Sequence, residues 1–98
     1  MPVSDFELVD EGEGRFTLNG AMSFATANDI LRKSETLFGR HSSLKIDLAG
    51  VGKADSAGLA LIIEWKSQAA NRAADIRFSN VPDSLMAIAR TSELQDLI

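Results

Sequence analysis

Cysteine and tyrosine are absent from the 98 residues, and histidine occurs once, as His41. Without cysteine the chain can build neither a disulfide framework nor a thiolate metal site, and one imidazole cannot supply a histidine-based one. The lack of cysteine fits a reducing compartment. Ten basic residues stand against fourteen acidic ones, for a net charge of −4, and no Lys/Arg cluster interrupts the scatter. Such a surface cannot neutralise a row of phosphates, which argues against nucleic acid as a partner. The opening MPVSDFELVDEGE is acidic and lacks the basic start and apolar core of a secretory signal, and the longest apolar run falls far short of the ~20 residues that span a bilayer. The expectation is a cytoplasmic protein without direct membrane insertion.

What is present belongs to an ordinary globular chain: 45% apolar and 24% charged residues, too apolar for disorder. A length of 98 residues suits one domain, residues 1–98, because a chain this short can close only one core. Alternation in Phe6-Glu7-Leu8 and Arg15-Phe16-Thr17-Leu18, on either side of Glu11-Gly12-Glu13-Gly14, predicts an N-terminal hairpin. Phe24, Ala27, Leu31 and Phe38, with Ile30 and Leu37 alongside, recur at helical spacing, and Gly39 stands as a stop. Leu44 to Leu48 alternates again; Gly50-Val51-Gly52 reads as a turn, and Asp55 or Ser56 can cap the helix that follows. Asp75 to Ser79 predicts a fourth strand, and Val81-Pro82 begins a last helix with Leu85, Ile88 and Ala89 on its core face. The order β-β-α-β-α-β-α predicts an α/β fold, a small mixed sheet of about four strands with helices packed on it. The connection from the third to the fourth strand must be a right-handed parallel crossover.

The second helix carries the most information. Advancing 100° per residue from Leu59, Leu59, Ile62, Ile63, Ala69, Ala70 and Ala73 fall on one stripe, which must face the sheet, and Lys66 shares it with its ammonium reaching the edge. Leu61 and Trp65 point off that stripe, beside Gln68 and Arg72. Such a pair lies either at the edge of the core under a neighbouring helix or on a protein-binding patch, where tryptophan is a frequent anchor. Asp55 and Ser56 are open to two readings in the same way. Either side chain can accept from an unpaired N–H of the first turn, with Gly58 letting that turn pack closely. Alternatively, Ser56 at the positive end of the helix could carry a phosphate, which Asp55 would repel.

Catalysis has little to stand on. A nucleophilic serine needs an adjacent base, whereas His41 falls in Gly39-Arg40-His41-Ser42-Ser43, a loop expected to be solvated. Asp47 and Asp55 flank a turn without a pocket to make them an acid–base pair. Gly50-Val51-Gly52-Lys53 matches neither GxxxxGK[ST] nor GxGxxG. No catalytic, cofactor-binding or metal-binding residue can be named.

The stretch LKIDLAGVGKADSAGLALIIEW resembles the central signature of STAS domains, the module of sulfate transporters and anti-sigma factor antagonists: a strand ending in Asp-Leu, a short turn, then Asp-Ser/Thr-x-Gly-Leu opening a helix. LNGAMSFATANDIL is similar to the family's strand, glycine turn and first helix, and IRFSNVPDSLMAIARTSEL to its last strand and helix, so the likeness covers nearly the whole chain. After Gly20 the chain has Ala21-Met22-Ser23 where most members carry an acid. Within the family, the second half looks closest to the small cytoplasmic subunit of the Mla phospholipid-transport ABC system. That resemblance implies a non-catalytic adaptor, needing no cofactor, that binds the ABC ATPase and supports the transporter that maintains outer-membrane lipid asymmetry. It would sit peripheral to the inner membrane through its partner. The partner-binding residues so expected are Asp55, Ser56, Ala57, Gly58, Leu61 and Trp65, with the exposed side of the third helix as a possible addition. The competing implication is an anti-sigma factor antagonist, with an anti-sigma factor and a serine kinase as partners and Ser56 as the phosphorylated hydroxyl.

Overall fold

The computed structural model describes residues 5–98. Its strands are β1 (Phe6–Gly12), β2 (Arg15–Met22), β3 (Ser43–Ala54) and β4 (Asp75–Ser79), and its helices are α1 (Ala27–Phe38), α2 (Ser56–Asn71) and α3 (Asp83–Thr91), followed by a short 3₁₀ turn at Gln95–Leu97. The sheet order is β1-β2-β3-β4, with β1 antiparallel to β2 and the pairs β2–β3 and β3–β4 parallel. The mixed four-strand sheet and the order β-β-α-β-α-β-α are those read from the sequence, and β4 occupies the expected residues. Strand β3, by contrast, does not stop at a turn. It continues through Gly50-Val51-Gly52 to Ala54, pairing Gly50 with Asn19 and Val51 with Gly20, and the register slips twice along β2 to accommodate it. Gly52 falls at the second slip, and Gly50, paired with Asn19, lets that side chain approach its backbone.

Period-two alternation separates the two faces of this sheet. Leu8, Phe16, Leu18, Leu44, Ile46, Leu48 and Ile76 are buried on one face, beneath Ile30 and Phe38 of α1, Leu59 and Ile62 of α2, and Leu85 and Ala89 of α3. The other face is open and polar. Arg15, Lys45 and Arg77 stand in one row across three strands there, a like-charge alignment that is unfavourable in a ladder. Asp75, 3.2 Å from Nε of Arg77, relieves it in part, although a pair this exposed contributes little.

Helices α2 and α3 end in the same device. Beyond α2, Ala74 N–H donates to the Ala69 carbonyl (2.8 Å) and Ala73 N–H to that of Ala70 (3.2 Å), with Ala73 at φ 56°. Beyond α3, Leu94 donates to Ala89 (2.7 Å) and Glu93 to Arg90 (3.0 Å), with Glu93 at φ 58°. This is the hydrogen-bond pattern of a Schellman cap, in which the left-handed position normally belongs to glycine. A side chain there strains the backbone by roughly 1–2 kcal/mol. Ala73→Gly is therefore expected to stabilise the fold by about 0.5–1 kcal/mol after the added freedom of the unfolded chain is subtracted. The urea midpoint checks this, and a lowered midpoint would contradict the strain argument.

Candidate functional site

The junction between β3 and α2 is held by Asp55. Its backbone is extended (φ −130°), it caps α2, and its Oδ1 accepts from Ala57 N–H at 2.9 Å. The other carboxylate oxygen, Oδ2, accepts from the backbone N–H of Phe24 at 3.1 Å, in the loop that follows β2. Of the two capping candidates in the sequence, Asp55 is the cap and Ser56 is the exposed first residue of the helix. Gly58 is buried against the end of β2: a Cβ at that position would lie 2.6 Å from the Met22 carbonyl oxygen, so only glycine admits this approach. Asp55 N–H also donates to Met22 O at 3.2 Å. Signature residues thus dock the start of α2 onto the C-terminal end of β2.

The loop between β2 and α1 is equally organised. Thr26 Oγ1 accepts from Ser23 N–H (2.9 Å) and donates to Ala21 O (2.9 Å), while the N–H groups of Thr26 and Ala27 donate to Ser23 O. Ser23 and Thr26 are buried, and the turn throws Phe24 outward, where it is 88% exposed. The sequence reading had counted Phe24 with the apolar face of the first helix. That placement is corrected, because the turn ends before Ala27 and Phe24 precedes the helix. Beside its ring runs a groove between α1 and α2, lined by Ala27, Leu31, Ala57, Ala60 and Leu61, with Asn28 and Glu64 as its polar members.

Of the two readings open for Leu61 and Trp65, the one that places them under a neighbouring helix holds, and the exposed protein-binding patch is corrected. Leu61 is 3% exposed and forms part of the groove's floor, and Trp65 is 1% exposed. The indole lies under α1, where Nε1–H donates to Ser34 Oγ at 2.8 Å and the ring sits 5.3 Å from Phe38 and 6.0 Å from Phe78, centroid to centroid. Helix α2 packs against the sheet, α1 and α3, and its buried arc runs through Gly58, Leu59, Leu61, Ile62, Trp65 and Ala69. Ala70 and Ala73, assigned to the sheet-facing stripe, are exposed instead, whereas Lys66 is half-buried with Nζ 5.8 Å over the Phe78 ring. His41 is half-buried rather than solvated, edge-on to Phe16 at 5.9 Å. At the far end of the helix pair, the Arg72 guanidinium donates to the carbonyls of Phe38 (2.8 Å) and His41 (2.7 Å), closing the last turn of α1.

Among the described residues no buried side-chain polar atom lacks a partner, and no group of three or more His, Asp or Glu is gathered as a metal ion would need. No described helix is long and apolar enough to cross a membrane. Two carboxyls are held below their ordinary value of 3.8: Asp47 chiefly by the Asn80 side-chain amide with help from Ala49 N–H, and Asp55 chiefly by Phe24 N–H. A carboxyl depressed in the folded state contributes stability above its unfolded pKa and loses that contribution as pH falls through the folded value. Urea midpoints are therefore expected to be flat down to about pH 4 on this account and to fall below it. The slope should be shallower in Asp47→Asn, and an unchanged slope would remove Asp47 from the explanation.

The sequence matches the model of the MlaB-type STAS domain over residues 9–98. Comparison with curated proteins gives no match. Among solved structures, the anti-sigma factor antagonist SpoIIAA in its unphosphorylated form superposes with a TM-score of 0.73 at 14% identity, covering 94% of this chain and 84% of that one. The phosphorylated form of the same Bacillus cell fate determinant gives 0.70 at 16% identity, with 94% and 86% covered. Identities this low speak for the fold. With the family match extending over nearly all of a sheet, a helix junction and a signature loop that the coordinates bring together, this chain belongs to the STAS domain family, in its MlaB-type branch.

Proposed function

We propose that the chain is a non-catalytic adaptor of a Mla-type phospholipid-transport ABC system, and that it binds the ABC ATPase through the surface at the start of α2. STAS domains act through protein–protein interaction, and the MlaB-type match supports this branch over others. The observation that carries the location is Phe24, a large aromatic side chain 88% exposed at the mouth of an apolar groove. A monomer gains nothing from holding such a ring in water, whereas an interface gains an anchor. Asp55, Ser56, Ala57 and Gly58 remain in the proposed surface as its edge and support. Leu61 contributes the groove floor, and Trp65 acts from beneath by fixing α1 against α2. The chain carries a net charge of −4, and Glu64 lines the groove, so the matching segment of the ATPase would present apolar side chains flanked by basic ones.

Affinity capture of the tagged chain from detergent-solubilised membranes is expected to recover an ABC ATPase and its permease. Recovery of an anti-sigma factor instead, with phosphate appearing on the exposed Ser56 after incubation with a serine kinase, would replace this reading by the partner-switching one.

A further inference from the structure

The Asp55 carboxylate accepts from two N–H groups that belong to different parts of the chain, 31 residues apart at the longer reach: Ala57 within its own helix and Phe24 in the β2–α1 loop. Capping α2 requires one oxygen only. The second oxygen fixes the backbone of Phe24, whose ring is 88% exposed. The loop's own turn satisfies the N–H groups of Ser23, Thr26 and Ala27 from within, and Phe24 N–H is supplied from across the junction. On the opposite side of Asp55, its N–H reaches Met22 O, so the strand end, the loop and the helix start meet at this one residue.

From this geometry we infer that Asp55 is a positioning residue for the docking surface: its carboxylate clasps the Phe24 backbone and presets the exposed ring at the mouth of the groove, so that the partner meets an anchor already ordered. The inference rests on the proposed docking surface and assigns to Asp55 a task beyond the helix cap. An ordered anchor binds more tightly because less freedom is lost on association. Asparagine separates the two tasks. It is as good an N-cap as aspartate but offers one acceptor oxygen, so the cap at Ala57 is kept while Phe24 N–H faces an amide group that cannot accept. Serine, also a good cap, is too short to serve both groups.

Two measurements test the clasp. In the free protein, amide hydrogen exchange at Phe24 is expected to accelerate about tenfold or more in Asp55→Asn and in Asp55→Ser, with thermal midpoints close to the parent. With the purified ATPase subunit as probe, Asp55→Asn is expected to weaken binding about 3- to 10-fold and Phe24→Ala about 30-fold or more. The double variant should bind no more weakly than Phe24→Ala alone, because the carboxylate acts through the ring. Unchanged exchange at Phe24 overturns the inference, and so do losses that simply multiply in the double variant. Failure of the parent protein to bind the ATPase would count against the adaptor reading, and exchange at Phe24, read without any partner, would still decide the clasp.

Discussion

Trp65→Ala is expected to destabilise the fold by about 3–5 kcal/mol, the range for removing a large aromatic side chain from a packed interior. The indole is enclosed by Phe38, Phe78 and the underside of α1, and its loss leaves a void that the Ser34 hydroxyl, already bonded to Leu31 O at 2.7 Å, cannot fill. Against the 5–15 kcal/mol total typical of a domain, that is a large share. Trp65→Phe retains most of the packing and gives up the 2.8 Å bond to Ser34, so a smaller loss of about 1–2 kcal/mol is expected. Urea denaturation of the three proteins measures both. Because Trp65 is the sole tryptophan, native emission should also be blue-shifted and poorly quenched by acrylamide. Red-shifted, readily quenched emission, or a Trp65→Ala variant as stable as the parent, would restore the indole to the surface.

Phe24→Glu should behave in the opposite way. The ring is exposed, so the substitution is expected to leave stability within about 0.5 kcal/mol of the parent while removing at least 2 kcal/mol of binding to the ATPase, a loss of about 30-fold or more. The added carboxylate would also lie near Asp55 and Glu64, worsening the charge match to a basic partner segment. Isothermal titration against the purified ATPase, with thermal unfolding as the control for folding, separates this surface effect from the interior effect of Trp65. Undiminished affinity in Phe24→Glu would dismiss the groove as the docking site.

These two aromatic residues also mark where sequence reasoning succeeded and where it stopped. The element order, the parallel crossover and the placement of β4 all follow from local alternation and from glycine and proline positions, signals that need no knowledge of neighbours. The role of Asp55 as a cap was visible for the same reason, since a cap acts within one turn. The burial of Trp65 was one of two readings that the residues alone leave open. A helical wheel centred on Leu59 assumes one covered side, whereas α2 is covered by the sheet and also by its neighbours α1 and α3, with the indole under α1. The cue that could have corrected it was Ser34, a small polar residue set between Ile30 and Phe38 on the buried face of α1, where an indole N–H finds its acceptor. Phe24 was misplaced because Phe24 and Ala27 are three residues apart, as in a helix, whereas Ser23 and Thr26 close a side-chain-stabilised turn between them. The second bond of Asp55, to Phe24 N–H, joins residues whose proximity only the assembled junction creates.

The helices cover a single face of the sheet, which divides every strand into residues answerable to the interior and residues answerable to water. Along β2, Phe16 and Leu18 alternate with Arg15, Thr17 and Asn19, and along β3, Leu44, Ile46 and Leu48 alternate with Lys45 and Asp47. Tolerance to substitution should therefore oscillate with a period of two along the chain, strict at each inward position and permissive at the next. The bare side is accordingly where surface charge can be retuned, for solubility or attachment, while the helical side keeps its shape for the partner.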